Sequence, residues 1–175
     1  MLALLCAVAF HPGHAQISEA DSLRKVLEAT NEDTSRVWLL LKMARVFEYS
    51  KPDTAMFYAR QAVQLAQEIY FEKGESKSLD EIAYLLMLTG NYPKALQTVF
   101  KALQINEKNN DQRGIAVSYN TIGIIYNEQG DQKQALNYFI KSKEIVEKLK
   151  DDKSIVMRNE NIADVYEKRN LMDSA

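Results

Sequence analysis

The fold is decided by the stretch Gly123-Ile124-Ile125-Tyr126-Asn127-Glu128-Gln129-Gly130-Asp131-Gln132-Lys133-Gln134-Ala135-Leu136-Asn137-Tyr138-Phe139. Just upstream, Ile115, Tyr119, Ile122 and Tyr126 are spaced by three or four residues, which puts them on one face of a helix. Gly130 then stops that helix, because a residue with positive φ closes a helical C-terminus at little cost. Asp131 follows as an N-cap for a second helix. That helix carries Ala135, Tyr138, Phe139, Ser142, Ile145, Val146 and Leu149. The stretch is thus a helix, a tight turn and a helix.

Written in rows of 40 residues, the rest of the chain repeats it. Ala55, Ala95, Ala135 and Ala175 share a column. So do Gly90 and Gly130, with Ser50 and Asn170 in the outer rows; Gly74, Gly114 and Ser154; Val46, Leu86, Tyr126 and Tyr166; and Met43, Ala83, Gly123 and Ala163. Five columns in one register mark an internal repeat. The first row reads as helices over about 34–49 and 52–71, with Pro52 near a first turn where it is tolerated. The small residues suggest close helix contact, with Gly123 and Ala83 on the first helix facing Ala135 and Ala95 on the second. A hairpin cannot bury its apolar face alone, so neighbours stack into an all-α solenoid. The predicted repeats are about 34–73, 74–113 and 114–153, with an incomplete fourth over 154–175 that enters its second helix at Ala175. Residues 16–33 form a helical lead-in.

Composition narrows function. The 175 residues carry a net charge of −2, with a pI near 5.8, so there is no basic excess to neutralise phosphates and no nucleic-acid partner is expected. Cys6 is the only cysteine, which excludes an intrachain disulfide and a cysteine-based metal site. The apolar run Leu2 to Phe10 is too short to span a membrane, which takes about 20 residues. With Pro12 and Gly13 breaking any helix and Ala15 before Gln16, residues 1–15 read as a secretory signal peptide cleaved after Ala15. A cationic n-region is missing, and a short buried apolar helix is the alternative. The expectation is a periplasmic or secreted protein, or a cytoplasmic one if the leader stays.

These motifs resemble a known family. The pattern Gly123-x-x-Tyr126-x-x-x-Gly130-Asp131-x-x-x-Ala135-x-x-x-Phe139 is similar to the tetratricopeptide repeat, and Gly90-Asn91-Tyr92-x-x-Ala95 to its turn. The resemblance implies a right-handed solenoid of antiparallel helix hairpins. Departures are Tyr119, Leu79, Leu39 and Asn159 at the family's tryptophan-like position, Glu107 and Glu147 in place of its closing proline, and a period of 40 rather than 34. The segment Arg113-Gly114-Ile115-Ala116-x-Ser118-x-Asn120-x-Ile122-Gly123 further resembles long-repeat arrays of Bacteroidetes-type sensor proteins. There such an array is the periplasmic region ahead of a membrane helix and a histidine kinase or DNA-binding output. That likeness implies a piece of a longer signalling protein.

In this family the first helices line a concave groove. Carried over by column, the groove takes Leu40, Ala44 and Phe47; Asp80, Tyr84, Met87 and Leu88; Asn120, Ile124, Asn127 and Glu128; and Glu160, Asn161, Asp164 and Glu167. It would be apolar at its N-terminal end and acidic at its C-terminal end. Met adapts to varied surfaces and aromatics anchor ligands, so a protein or peptide with apolar anchors and some basic character is the expected partner. Lys77 and Asn161 match a C-terminal-carboxylate clamp by type only, and that activity is not expected. A homodimer stays open. Trp38 reads as core or groove anchor, while Tyr119, Tyr126 and Tyr166 read as core.

No phosphate loop, zinc motif or nucleophile elbow is present, so neither a cofactor nor a metal is expected. His11 and His14, the two histidines, fall within the leader. Asp80-Glu81, Asp151-Asp152 and Glu160 qualify for acid–base work only by residue type, and they read as solvated faces and linkers. The expected function is non-catalytic binding by the sensory or interaction region of a longer signalling protein, with a free-standing, chaperone-like adaptor and an enzyme on a helical scaffold as the alternatives.

Overall fold

A computed structural model describes residues 12–31 and 33–173, all helices and turns. The eight helices among them are α1 (Pro12–Ala29), α2 (Thr34–Phe47), α3 (Pro52–Glu68), α4 (Glu72–Leu88), α5 (Tyr92–Lys108), α6 (Gln112–Glu128), α7 (Gln132–Lys148) and α8 (Asp152–Asp173). Helices α3 to α7 are each 17 residues long. A three-residue turn follows each, which sets the 40-residue hairpin period and explains its excess over 34. α2 and α3, α4 and α5, and α6 and α7 pair as hairpins; each hairpin packs on the next, and α2, α4, α6 and α8 touch in succession. The result is the all-α solenoid of antiparallel helix hairpins that the repeat predicts.

One local device ends every 17-residue helix. A left-handed residue follows, Gly90 (φ 74°) and Gly130 (φ 81°) inside hairpins, and Tyr70, Asn110 and Lys150 (φ 56°, 54°, 54°) between them. The next amide then reaches back five residues, as in Asn91 N to Leu86 O at 2.8 Å and Asp131 N to Tyr126 O at 2.9 Å. The expected cap at Asp131 is present, its carboxylate accepting from Gln134 N at 3.0 Å, and Asp33, Asp111 and Asp151 cap their helices similarly. Ser50 departs from its column: Lys51 N bonds Phe47 O at 2.8 Å, and Ser50 has no positive φ. Asn170 departs too, since α8 runs through it to Asp173 without a turn.

One further expectation is corrected, at the hairpin contact. Pro12 and Gly13 lie in α1, which is described from Pro12 onward. Residues 1–11, and with them most of the expected leader and His11, lie outside the described residues, as does Ala175. In the third hairpin the contact at Gly123 is not small against small, because Gly123 lies against the ring of Phe139. In the second, Ala83 and Ala95 share one buried cluster. Ala55, Ala95 and Ala135 are fully buried as expected.

The core runs along the stack as successive clusters. Val37, Leu40, Leu41, Ala62 and Leu65 fill its N-terminal part with Leu27 of α1. Ala83, Val99, Leu103, Ile115, Ile122 and Ile125 fill the centre. Phe139 and Val165 close the other end with Ala135. α8 buries Val165, but Ala163 and Tyr166 are exposed, Tyr166 by 49%. Among the described residues no helix covers that side of α8, so these two positions do not pack as their columns do elsewhere.

Candidate binding groove

Because the first helices adjoin, their shared face carries residues at a vertical spacing of one repeat. A cleft of about 520 Å³ lies on it, across α4, α6 and α8. Tyr84, Met87 and Leu88 come from α4, Ile124, Asn127 and Glu128 from α6, and Asn161 and Asp164 from α8. Gly90, Tyr92 and Phe139 complete the wall. Apolar side chains thus stand on one flank and hydrogen-bonding groups on the other.

The polar flank is largely paired with itself. Asn127 donates from Nδ2 to Asp164 at 2.8 Å, and Asn161 donates to Asn120 Oδ1 at 2.8 Å. Lys168 lies 3.1 Å from Asp164 and 3.5 Å from Glu128. Burial works against the charge on Asp164, but the hydrogen bonds from Asn127 and Lys168 outweigh it and hold its carboxyl below the usual range. Lys168 thus offsets part of the negative charge that Asp164 and Glu128 place at the C-terminal end. The Asn127 carbonyl oxygen is buried without a partner, leaving one acceptor unfilled.

A second cleft of about 220 Å³ adjoins the first, sharing Tyr84 and Ile124 as lining. It adds Arg45, Lys77, Asp80, Glu81, Val117, Asn120 and Thr121. The reading of Asp80 and Glu81 as solvated is corrected: both are buried, at 6% and 8% exposure. Asp80 accepts from Ser118 Oγ at 3.0 Å, and Asn106 Nδ2 donates to that same hydroxyl at 3.1 Å. Burial pushes the Asp80 carboxyl up to about 8, against the opposing pull of Ser118 and Lys77. Arg45 Nε donates to Glu81 at 3.0 Å. The hydroxyls of Tyr49 and Tyr84 lie 2.6 Å apart, and burial followed by that contact raises the Tyr84 phenol.

Of the groove positions named from sequence, ten line these two clefts: Asp80, Tyr84, Met87, Leu88, Asn120, Ile124, Asn127, Glu128, Asn161 and Asp164. Leu40 and Phe47 do not. Leu40 is buried in the α2–α3 core, and Phe47 stacks on Tyr58 of α3 at 6.2 Å. Ala44 is fully buried, and Glu160 is exposed on α8 outside both clefts. Trp38 is core: its ring meets Phe71 edge-on at 5.4 Å. Tyr119 and Tyr126 both pack against Tyr138. Lys77 and Asn161, the two clamp-like residues, line different clefts.

Sequence reasoning missed Arg45, Thr121 and the role of Glu81. The signal is a column: Glu81 and Thr121 stand 80 and 40 residues before the groove position Asn161. A buried polar seam was also missed. Ser78, Ser118 and Arg158 share the column of Trp38, and Arg158 Nε donates to Ser142 Oγ at 2.8 Å, which donates to Ala116 O at 2.6 Å. Among the described residues no group of acids and histidines could hold a metal ion, and no helix is long and apolar enough to cross a membrane.

Comparison with known proteins agrees with this geometry. Residues 75–148 match the tetratricopeptide repeat model. No curated protein matches the chain in sequence. Among solved structures, a Rap protein complexed with competence and sporulation factor superposes with a TM-score of 0.80 at 22% identity, over 94% of this chain and 47% of that one. Aspartyl phosphate phosphatase F from Bacillus subtilis gives 0.75 at 18%, over 92% and 46%. A kinesin light chain-type protein from Podosopora anserina with nearly identical TPR-like repeats gives 0.66 at 15%, over 93% and 82%. At these identities the likeness establishes the fold alone. The chain spans slightly under half the length of the first two proteins.

Proposed function

We propose that this chain is a non-catalytic scaffold that binds a protein or peptide segment along the face of α4, α6 and α8. The observation that carries the reading is the 520 Å³ cleft, whose flank of Tyr84, Met87 and Leu88 opposes Asn127 and Asn161. Apolar anchors beside a few fixed polar groups suit side chains and backbone amides of a peptide. One structural neighbour is complexed with competence and sporulation factor, so a partner on this architecture has precedent. Another is named a phosphatase, but a likeness at 18% identity transfers no activity.

The reading extends to context. The apolar run Leu2 to Phe10 and the resemblance of Arg113 to Gly123 to sensor arrays support an exported sensory or interaction region of a longer signalling protein. N-terminal sequencing after expression in a Gram-negative host tests the export: a start at Gln16 supports it, and an intact Met1 removes it. The binding claim is tested by selecting displayed random peptides on the purified chain and mapping the winners by amide hydrogen exchange. Protection over 84–88, 124–128 and 161–164 is expected. Protection confined to α3, α5 and α7 would overturn the groove.

A further inference from the structure

The cleft beside Tyr84 holds two carboxylates that the scaffold leaves underfilled. Asp80 and Glu81 are adjacent on α4, buried, and line the same 220 Å³ space. A buried carboxylate ordinarily has several donors on its two oxygens. Glu81 has one, Arg45 on Oε2, while its Oε1 is buried with no partner and its side chain is 8% exposed. Asp80 has one hydroxyl, Ser118, within 3.0 and 3.3 Å of its two oxygens. Glu48, outside the cleft lining, has its carboxyl pushed up by its own burial and then by the charge on Glu81. Arg45 and Lys77 are the cations that line the cleft. Arg45 is 59% exposed, so water competes for its guanidinium.

We infer that the Asp80–Glu81 cleft is a subsite for the guanidinium of an arginine side chain carried by the bound peptide. The inference rests on the groove reading, because Tyr84 and Ile124 line both clefts and a side chain from the larger one reaches the smaller past them. The guanidinium offers five N–H donors in a planar fork, which suits two neighbouring carboxylates better than a single ammonium does. Glu81 Oε1 turns toward such a donor about its soft terminal torsion.

A bound cation favours ionised Asp80. The charged groups facing Asp80 are Lys77 and Glu81 on its own helix. α2 brings Arg45 to Glu81, with Glu48 beyond it, while α5 and α6 present neutral Asn106 and Ser118. Burial holds Asp80 protonated up to about 8 in the free chain. Binding near neutrality therefore releases a proton to solvent, and affinity rises with pH.

The test titrates the isotopically labelled chain with N-acetyl-arginine methylamide and with its uncharged citrulline counterpart, following backbone amides by NMR at pH 7 and 8.5. Saturable shifts over 77–84 and 117–121 with arginine alone, at least threefold tighter at pH 8.5 and at least tenfold weaker in Glu81→Gln, are expected. Equal shifts with both probes, or none with arginine, overturn the subsite whether or not the variant folds. The displayed peptides separate the two readings. Peptides that protect α4, α6 and α8 without arginine preference overturn the subsite and keep the groove. No peptide footprint overturns the groove, and the arginine probe still decides the subsite.

Discussion

Gly123 lies directly beneath the ring of Phe139, so close that a Cβ built on the glycine would stand 2.6 Å from both Cδ1 and Cε1. One repeat earlier the same two columns hold Ala83 and Val99, and one earlier still Met43 and Ala59, all fully buried. As the residue on the first helix shrinks, the one on the second grows, so the columns conserve volume between them. Gly123→Ala should therefore destabilise the chain by about 1–3 kcal/mol through overpacking. In a Phe139→Val background, which reproduces the size pair of the second repeat, the same change should cost much less. A double-mutant cycle in denaturant checks this: a coupling of about 0.5 kcal/mol or more is expected, and additivity would mean the two side chains do not share space.

Ala135 of α7 is fully buried, in the core cluster with Phe139 and Val165. Ala135→Leu adds three carbons where no room exists and should lower stability by about 1–3 kcal/mol. An unchanged unfolding midpoint would place the hairpin contact elsewhere.

Asp80 gives stability a pH dependence of known sign. Its carboxyl rises from an ordinary 3.8 to about 8 on folding, so between those values the folded chain binds a proton that the unfolded chain has lost. Stability is then fully present below the lower value and falls as pH rises toward 8, because ionised Asp80 is buried with one hydroxyl to serve it. Asp80→Asn should flatten this slope and raise relative stability at pH 8.5. Urea melts from pH 4.5 to 8.5 check it: a slope unchanged in the variant assigns the pH dependence to other groups.

The expected tolerance of Glu128 is a sharper contrast. It pairs with Lys168 at 3.5 Å, and both side chains are more than two-fifths exposed. Glu128→Ala should move stability by less than about 0.5 kcal/mol, since water and salt already screen the pair. A larger loss in thermal or urea melts would mean that the C-terminal flank holds α8 in place.

The repeat was legible because helix periodicity, turn glycines and caps all recur at one spacing. Gly130, Asp131 and Ala135 each act locally, and local chemistry is what a sequence displays. Leu40 misled because column arithmetic assumes that every first helix has the same neighbours, whereas α2 has α1 packed on it and Leu27 joins Leu40 in the core. Tyr166 and Ala163 misled for the converse reason, since among the described residues α8 lacks the second helix that buries their counterparts. The burial of Asp80 was invisible for a different reason. It depends on Ser118 and Asn106 arriving from two other helices, and only a pairing 38 residues away makes that position tolerable. The end of α2 at Phe47 likewise rests on a turn without the glycine of later repeats.

The central claim is that partners dock on α4, α6 and α8 and not on the outer helices. Leu88 and Ile140 allow a matched test, being exposed by 38% and 44% on α4 and α7 respectively. The deciding measurement is the dissociation constant of a selected peptide for Leu88→Lys and for Ile140→Lys, with unfolding midpoints measured alongside. The account predicts at least a tenfold loss for Leu88→Lys, little change for Ile140→Lys, and similar midpoints for both. Undiminished binding by Leu88→Lys together with lost binding by Ile140→Lys would contradict it.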